Sequence, residues 1–191
     1  MNIFYVDKDP VAAAQSLCDK HVVKMILESA QLLSTAHRIL DGVEKIQEKY
    51  VAGSLPARYR KQKAWILPDA RESIVYKATH ANHPSAVWCR QSLENYGWLA
   101  DHLHALLDEY GFRYGKKHKT GEMAYYVYAP PHNLREWDFT PMPSCMAPEY
   151  IVGNDPVMNY RNYYINGKKH LHKWTKRHAP AWIFNNASGS H

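Results

Sequence analysis

Residues 19–38 form one amphipathic helical pattern, and this stretch limits the possible fold more than any other. Its apolar and polar positions recur every three or four residues, so each set falls on one face of a helix. The apolar stripe contains Val22, Val23, Ile26, Leu27, Ala30, Leu33 and Leu40. The polar stripe contains His21, Lys24, Glu28, Gln31, Thr35 and Arg38. One face is therefore expected to build a core, while the other meets solvent or carries chemistry.

Lys24 and Glu28 lie one helical turn apart on the polar stripe. On a solvated face, such a pair stabilises the helix by roughly a few tenths of a kcal/mol and has no further role. In a cleft, the same pair would offer an amine and a carboxylate to a substrate. The pattern alone leaves both interpretations open.

The whole chain, residues 1–191, is predicted to be one compact, mostly α domain with long irregular connections rich in proline and aromatic residues. Residues 2–6 are the one stretch near the start with strand character. Further helices are expected at residues 43–50, 69–79 and 85–110. Residues 51–63 are predicted to be a loop, and residues 130–148, which contain five prolines, an ordered coil.

Three positions mark helix ends in the sequence. Asp9 and Asp155 each precede a proline, which is typical of an N-cap followed by the first helical residue. Gly42 is expected to end the central helix in the left-handed conformation. The last helix and its basic continuation, residues 156–184, are predicted to pack on the helical core.

The charge of the chain favours a polyanionic partner. The formal net charge is +6, and no Asp or Glu follows Asp155, whereas six Lys and Arg residues do, the last of them Arg177. The chain also contains 14 Tyr and 6 Trp, whose flat faces suit both cores and base stacking. These features predict DNA or a nucleotide as ligand. The candidate phosphate-binding or base-binding residues are Gln31, Arg38, Arg58, Arg60, Arg161, Lys173, Trp174, Lys176 and Arg177.

Several other classes of protein find little support in the sequence. Three widely spaced cysteines predict neither a disulfide framework nor a zinc site. The twelve histidines include no His-Glu-x-x-His motif, and phosphate-cradling glycine motifs are absent, so no metal or cofactor is expected. No signal peptide or membrane span is predicted, which makes the expected location cytoplasmic, in a host cell if the protein is viral. The oligomeric state is not predicted.

The motif Asp19-x-His21-Val22-Val23-x-x-x-x-Glu28, close behind a short N-terminal segment, resembles the N-terminal helix of phage endonuclease V-type pyrimidine-dimer DNA glycosylases. That family consists of small, basic, all-α proteins. In it the N-terminal α-amine attacks C1′ of the damaged nucleotide, and a glutamate on this helix is essential. The resemblance covers about the first forty residues and assigns these roles to the amine of Met1 and to Glu28. Asn2 is too large for ordinary removal of Met1.

Three functions are compatible with these observations. The first is a DNA glycosylase with possible lyase activity at abasic sites, which uses Met1 or Lys24 as the amine and Glu28 and His21 nearby. The second is a non-catalytic, phage-type binding protein that captures a nucleotide or another phosphorylated small ligand. The third is a metal-dependent nuclease or a nucleotide-modifying enzyme that uses His21, His37 or His83 with Glu28. Trp88, Tyr163 and Trp174 are candidate stacking surfaces for a flipped base.

Overall fold

The computed structural model describes residues 1–53, 56 and 58–184. About 49% of the chain is helical, which confirms the mostly α prediction. The elements are α1 (Pro10–Ser16), α2 (Asp19–Asp41), β1 (Val43–Tyr50), β2 (Tyr59–Ile66), α3 (Arg71–Ile74), α4 (Pro84–Cys89), α5 (Leu93–Tyr114), α6 (Gly121–Ala124) and α7 (Pro156–Gly167).

The core forms between the two long helices. One face of α2 and one face of α5 pack together, α1 packs on α5, and α4 packs on α2. Fully or almost fully buried apolar side chains fill the space between these helices, among them Leu17, Met25, Ile26, Leu33, Leu99, Leu103 and Leu106. Helix α2 therefore has its inner face committed to packing and only part of its surface available to a ligand.

Helix ends follow the predicted chemistry at two positions and depart from it at a third. Asp9 accepts a hydrogen bond from the amide of Ala12, and Asp155 accepts one from Val157, so both are N-caps as predicted. Gly42 has φ −91°, so the predicted left-handed conformation is wrong. Glycine is needed there because a Cβ would lie 2.4 Å from the carbonyl oxygen of Arg38.

The predicted helix at residues 43–50 is wrong, since these residues form a strand. The loop predicted at residues 51–63 is wrong for residues 59–63, which belong to the second strand, whereas residues 51–53 lie in neither strand. Strands β1 and β2 pair antiparallel in register from Val43 opposite Ile66 to Tyr50 opposite Tyr59. The residues of β1 have ordinary helical propensity, but pairing with a distant strand outweighs local preference. In this β-hairpin, formed by Val43–Tyr50 and Tyr59–Ile66, the first strand is entirely exposed and the second is exposed over its first five residues.

Other predicted boundaries also move. Residues 3–6 are buried and Asn2 is half-buried, but none of these residues belongs to a strand. The helix predicted at 85–110 is two helices, because Ser92 caps the start of α5. Helix α3 ends at Ile74 because Arg38 takes the carbonyl oxygens of Glu72, Val75 and Tyr76, which a longer helix would need.

The segment after α7 is tied to the other helices by several specific contacts. The amide of Asp19 donates to the carbonyl of Lys173 at 2.8 Å, and Thr175 donates to the Asp19 carboxylate. The indole of Trp174 donates to the carbonyl of Ser16 at 3.0 Å. None of the described helices is long and apolar enough to cross a membrane.

Candidate functional site

The N-terminal segment packs against α2, and the first two residues of the chain lie beside Glu28. The backbone amide of Asn2 donates a hydrogen bond to Glu28 Oε2 at 2.9 Å. The Asn2 side chain fixes this position, since its amide group donates to the carbonyl of Cys145 and its Oδ1 accepts from the amides of Ile3 and Phe4. The first residue of the chain is thereby held next to the carboxylate of Glu28.

Phe4 makes this turn possible at some conformational cost. Its φ of +58° lies in the left-handed region, which bulky residues rarely adopt. The ring is buried and stacks on His21, with ring centroids 4.2 Å apart, and on Tyr163 at 6.0 Å. Packing of this ring therefore holds the strained backbone that brings Met1 to α2.

Met1 and Glu28 open onto a cleft of about 690 Å³, which we call the Glu28 cleft. Val23 and Leu27, predicted to belong to the apolar core stripe, are 40% and 41% exposed and form its apolar floor. The remaining lining residues are Lys24, Gln31, Tyr76, His80, His118, Lys119 and Thr120. The cleft thus combines an apolar surface with an acid, two lysines and the start of the chain.

Glu28 lies between two nitrogens. Its Oε1 is 3.1 Å from Lys24 Nζ, and its Oε2 accepts from Asn2. The side chain of Glu28 is 13% exposed, whereas that of Lys24 is 67% exposed. Because the carboxylate is largely shielded and the lysine is not, the ion pair contributes little to stability but leaves the lysine free to move toward a ligand.

The pKa of His83 is influenced by the charged groups beside Glu28. Burial lowers its pKa from the ordinary value, the N-terminal ammonium lowers it further, and the Glu28 carboxylate opposes the shift. His83 is half-buried and its Nδ1 accepts from the amide of Ser85. The N-terminal ammonium, Glu28 and His83 therefore lie close enough to influence one another.

The far wall of the cleft was missed from sequence. Tyr76 OH and Thr120 Oγ1 are 3.1 Å apart, and this contact joins the segment after α3 to the turn after α5. His80 has a left-handed φ of +48°. The basic composition of residues 114–121 was a signal for His118 and Lys119, but nothing in the sequence marks Tyr76 or His80 as neighbours of Glu28.

The structure places two candidate histidines in the core, away from the cleft. Tyr164 OH accepts from the amide of Cys18 and donates to His21 Nδ1 at 2.8 Å, and burial, followed by the charge of Lys168, lowers the pKa of His21 to about 3. His37 Nδ1 accepts from Arg71 and its Nε2 donates to Tyr96, and burial, followed by the charge of Arg71, lowers its pKa to about 4. Both rings are neutral structural links.

Arg38 is fully buried, so the prediction that it contacts phosphate is wrong. Its guanidinium pairs with the Glu72 carboxylate and donates to the backbone carbonyls of Trp65, Glu72, Val75 and Tyr76. Every donor direction is occupied by protein. Arg38 joins α2 to the foot of the hairpin and to the wall of the cleft.

The tail cations are not at the Glu28 cleft. Arg161 donates to Val6 and Asp7 and stacks over Trp182, while Arg177 pairs with Glu109 and stacks over Phe112. Lys176 is exposed and donates to the carbonyl of Phe112 at 3.0 Å, and Lys173 is exposed. These cations form a second surface whose charge is partly neutralised.

The aromatic candidates differ in exposure. Trp88 is buried and its indole donates to the carbonyl of Thr140, and Trp174 is bonded to Ser16. Tyr163 is half-buried against Phe4 and Tyr150. The rings that line the Glu28 cleft itself are Tyr76, His80 and His118.

Arg58 and Arg60 lie on the hairpin, where both are exposed. The carbonyl of Arg58 accepts from the amide of Val51. Arg60 lies in β2, opposite Lys49 of β1. Gln31 lies at the cleft. Among the described residues, no group of three or more His, Cys, Asp or Glu side chains is arranged to hold a metal ion.

Comparison with known proteins gives one match. The family model described as pyrimidine dimer DNA glycosylase matches residues 1–122. No curated protein and no solved structure matches the chain significantly. All the residues that line the Glu28 cleft fall within the matched range, as do both strands of the hairpin.

Proposed function

The chain belongs to the pyrimidine dimer DNA glycosylase family, and from this premise we propose that Glu28 and an amine beside it form the catalytic centre of a glycosylase with associated strand cleavage. As a member of this family it is a DNA-repair glycosylase, and DNA is its substrate. The proposal concerns the groups that perform the reaction. It rests chiefly on the hydrogen bond from the Asn2 amide to Glu28 Oε2 at 2.9 Å.

In the proposed first step, the amine nitrogen forms a bond to C1′ of the damaged nucleotide. The bond between C1′ and the pyrimidine nitrogen breaks, and the base leaves with the electron pair and gains a proton. The amine loses a proton to Glu28, and opening of the sugar ring yields an iminium ion while O4′ takes a proton. Glu28 is suited to this role because its carboxylate is shielded yet lies at the edge of an open cleft.

Strand cleavage follows from the iminium ion. A base removes a proton from C2′, the bond between C3′ and its oxygen breaks, and the phosphate leaves with the electron pair. Water then hydrolyses the iminium and releases the amine. Glu28 is the proposed base, since the same carboxylate would already be positioned against the sugar.

Two amines compete for the role of nucleophile. The α-amine of Met1 belongs to the residue next to Asn2, whose backbone amide donates to Glu28 Oε2. Lys24 Nζ lies 3.1 Å from Glu28 Oε1. Free α-amines lose their proton at lower pH than lysine side chains do, so a larger fraction is nucleophilic at neutral pH. We therefore propose the N-terminal amine as nucleophile. If Met1 were removed, the free amine would be the Asn2 nitrogen itself.

The cleft also accommodates the substrate in the proposed reaction. Repair enzymes that act on a base rotate the nucleotide out of the helix into a pocket. The Glu28 cleft has a volume of about 690 Å³, an apolar floor and three rings, Tyr76, His80 and His118, in its lining. Lys24 and Lys119 also line the cleft, and in this proposal their charges would attract a phosphate of the nucleotide.

The test is covalent trapping. The protein is incubated with duplex DNA that contains a pyrimidine dimer or an abasic site, in the presence of borohydride, which reduces the iminium to a stable bond. Peptide mapping of the adduct identifies the modified amine at Met1, Asn2 or Lys24. Absence of an adduct on both substrates, from a folded protein that binds them, would overturn the proposed chemistry.

Two matched pairs separate the candidate amines. A short Gly-Ser extension before Met1 should abolish the adduct, while the same extension after His191 should not. Lys24→Ala should retain the adduct, as should Lys20→Ala, which changes an exposed lysine on the same helix. An adduct that survives the N-terminal extension and disappears in Lys24→Ala would transfer the role to Lys24.

Capture of a free nucleotide is a second candidate, favoured by the size of the cleft, which lies in the range of small-molecule sites. Stabilisation of the protein by mononucleotides in a thermal-shift assay, without adduct formation on any DNA, would support it. The nuclease alternative has less support, because His21 and His37 are buried and bonded to tyrosines.

A further inference from the structure

The β-hairpin of residues 43–66 adds little to the stability of the fold. All eight residues of β1 and the first five of β2 are exposed. An isolated two-stranded hairpin is marginally stable in water because it buries little apolar surface. An exposed element of this kind therefore needs an explanation other than packing.

The register of the hairpin sorts its charges by face. Directly opposed residues share a face, and successive residues alternate between faces. One face contains the opposed pairs Val43–Ile66, Lys45–Ala64, Gln47–Gln62 and Lys49–Arg60. The other contains Glu44–Trp65, Ile46–Lys63, Glu48–Lys61 and Tyr50–Tyr59. We call the first the amide face and the second the glutamate face.

The two faces differ in net charge. The amide face has three cations, Lys45, Lys49 and Arg60, and no carboxylate, whereas the glutamate face has two cations and two carboxylates. On the glutamate face, Lys63 Nζ lies 2.8 Å from Glu44 Oε1. Within the described part of the chain, none of the three cations of the amide face lies within salt-bridge distance of a carboxylate. Three uncompensated charges on one side of a ribbon are suited to a polyanion.

The amide face adjoins the wall of the Glu28 cleft. Gln47, Lys49 and Gln62 line a hollow of about 270 Å³ together with Lys77 and Ala78. Residues of the glutamate face, among them Glu48 and Lys63, line the same hollow. Lys77 and Ala78 are flanked in sequence by Tyr76 and His80, which line the cleft itself. A single short segment of chain thus separates the amide face from the proposed catalytic centre.

We propose that the amide face of the hairpin binds the DNA duplex beside the damaged nucleotide. Strands of eight residues span about 25 Å, and a two-stranded ribbon fits the major groove. Lys45, Lys49 and Arg60 contact phosphates, and the paired amides of Gln47 and Gln62 face the groove between them. This inference rests on the proposed function only in taking DNA as the substrate.

The test compares two double variants of the same ribbon. Lys49→Gln with Arg60→Gln removes two charges from the amide face, and Lys61→Gln with Lys63→Gln removes two from the glutamate face. Binding to an undamaged duplex is measured over a range of salt concentrations. Each phosphate contact contributes about 0.9 to the slope of log affinity against log salt, so the amide-face variant should lower the slope by up to about 1.8.

The glutamate-face variant should leave the slope unchanged. An unchanged slope in the amide-face variant, or equal losses in both variants, would overturn the proposal. So would a wild-type dimer that the amide-face variant converts to a monomer, because the face would then bind a second copy of the chain. Circular dichroism of both variants checks that the fold is retained.

Borohydride trapping on the same proteins keeps this test separate from the proposed chemistry. At saturating abasic duplex, the wild type and both variants should form the adduct, since neither variant changes the Glu28 cleft. An adduct with an unchanged salt slope would reject the hairpin contact alone. A lower slope without an adduct in any protein would support the hairpin contact and reject the proposed chemistry.

Discussion

The Glu28 cleft and the cluster around Glu109 both join carboxylates to cations, yet their surroundings differ. Glu109 is buried and accepts from Arg113 at 2.6 Å and from Arg177 at 2.8 Å, and Arg113 also donates to Asp19. Burial alone would raise the pKa of Glu109, but Arg177 and Arg113 hold it below its ordinary value. Glu28 instead has one exposed lysine and one backbone amide as partners.

This difference indicates what each carboxylate does. The Glu109 cluster links α5, the start of α2 and the segment after α7, and its charges are neutralised by protein. The carboxylate of Glu28 lies at the edge of an open cleft with a mobile cation beside it. The first arrangement holds elements together, and the second is available to a substrate.

Glu28→Gln should have the largest effect on activity. The change preserves shape and removes the charge, so we expect adduct formation to slow by about 10²- to 10⁴-fold, the usual contribution of a general acid or base. The rate of borohydride trapping measures this, and thermal unfolding checks the fold. Full activity in a folded Glu28→Gln protein would show that the role of Glu28, like that of Glu109, is structural and not catalytic.

Glu109→Gln should have the opposite profile. It leaves Arg113, which is fully buried, short of one partner, and breaking a buried pair costs about 3–5 kcal/mol. We expect the free energy of unfolding in urea to fall by that amount, while adduct formation per folded molecule is unchanged. A loss of trapping without a loss of stability would contradict the comparison.

The buried histidines His21 and His37, like Glu109, have a structural role, and they should make the free energy of unfolding depend on pH. The folded pKa values of His21 and His37, about 3 and about 4, lie below the ordinary value, so the unfolded chain binds protons first on acidification. Stability should be fully present above about pH 6.5 and fall toward pH 4.5 by up to about 1.4 kcal/mol per pH unit for each histidine.

Urea denaturation at several pH values measures this dependence. His37→Gln should reduce the slope, whereas His132→Gln, at an exposed position, should not. A free energy of unfolding that stays constant between pH 6.5 and 4.5 would show that the two histidines are not held neutral in the folded state.

Lys24→Ala should have the smallest effect on stability. The lysine is largely exposed, and exposed ion pairs contribute about 1 kcal/mol or less. The matched change Lys63→Ala breaks another exposed pair, with Glu44, and should cost a similar amount. A loss near that of Glu109→Gln would mean that Lys24 is structural and would remove the contrast between the two regions.

Local sequence signals predicted some features of the fold well. The helical periodicity of α2 and the two Asp-Pro starts depend on neighbouring residues, and the structure confirms them. The hairpin was missed because strand pairing joins residues from 9 (Tyr50 and Tyr59) to 23 (Val43 and Ile66) positions apart, which local patterns do not reveal. Arg38 was misassigned because periodicity places a residue on a face but does not show what covers that face.

Residue spacing predicted the candidate site only where it lies on one helix, and the family resemblance added the amine of Met1. Lys24, Glu28 and Gln31 were selected from their spacing, and the structure brings Met1 to them. Tyr76, His80 and Thr120 come from segments far away along the chain, and only the tertiary fold brings them to the cleft. The same limit explains why Arg161 and Arg177, attractive as cations in the sequence, lie against Asp7 and Glu109.

The buried guanidinium of Arg38 has a consequence for local opening of the structure. Its bonds to Trp65, Glu72, Val75 and Tyr76 fasten the foot of the hairpin and the wall of the cleft to a single point on α2. Segments that share one buried anchor open together, as one cooperative unit in hydrogen exchange. The amides at the foot of the hairpin and around Tyr76 should therefore exchange with a common free energy of opening, although they belong to different parts of the chain.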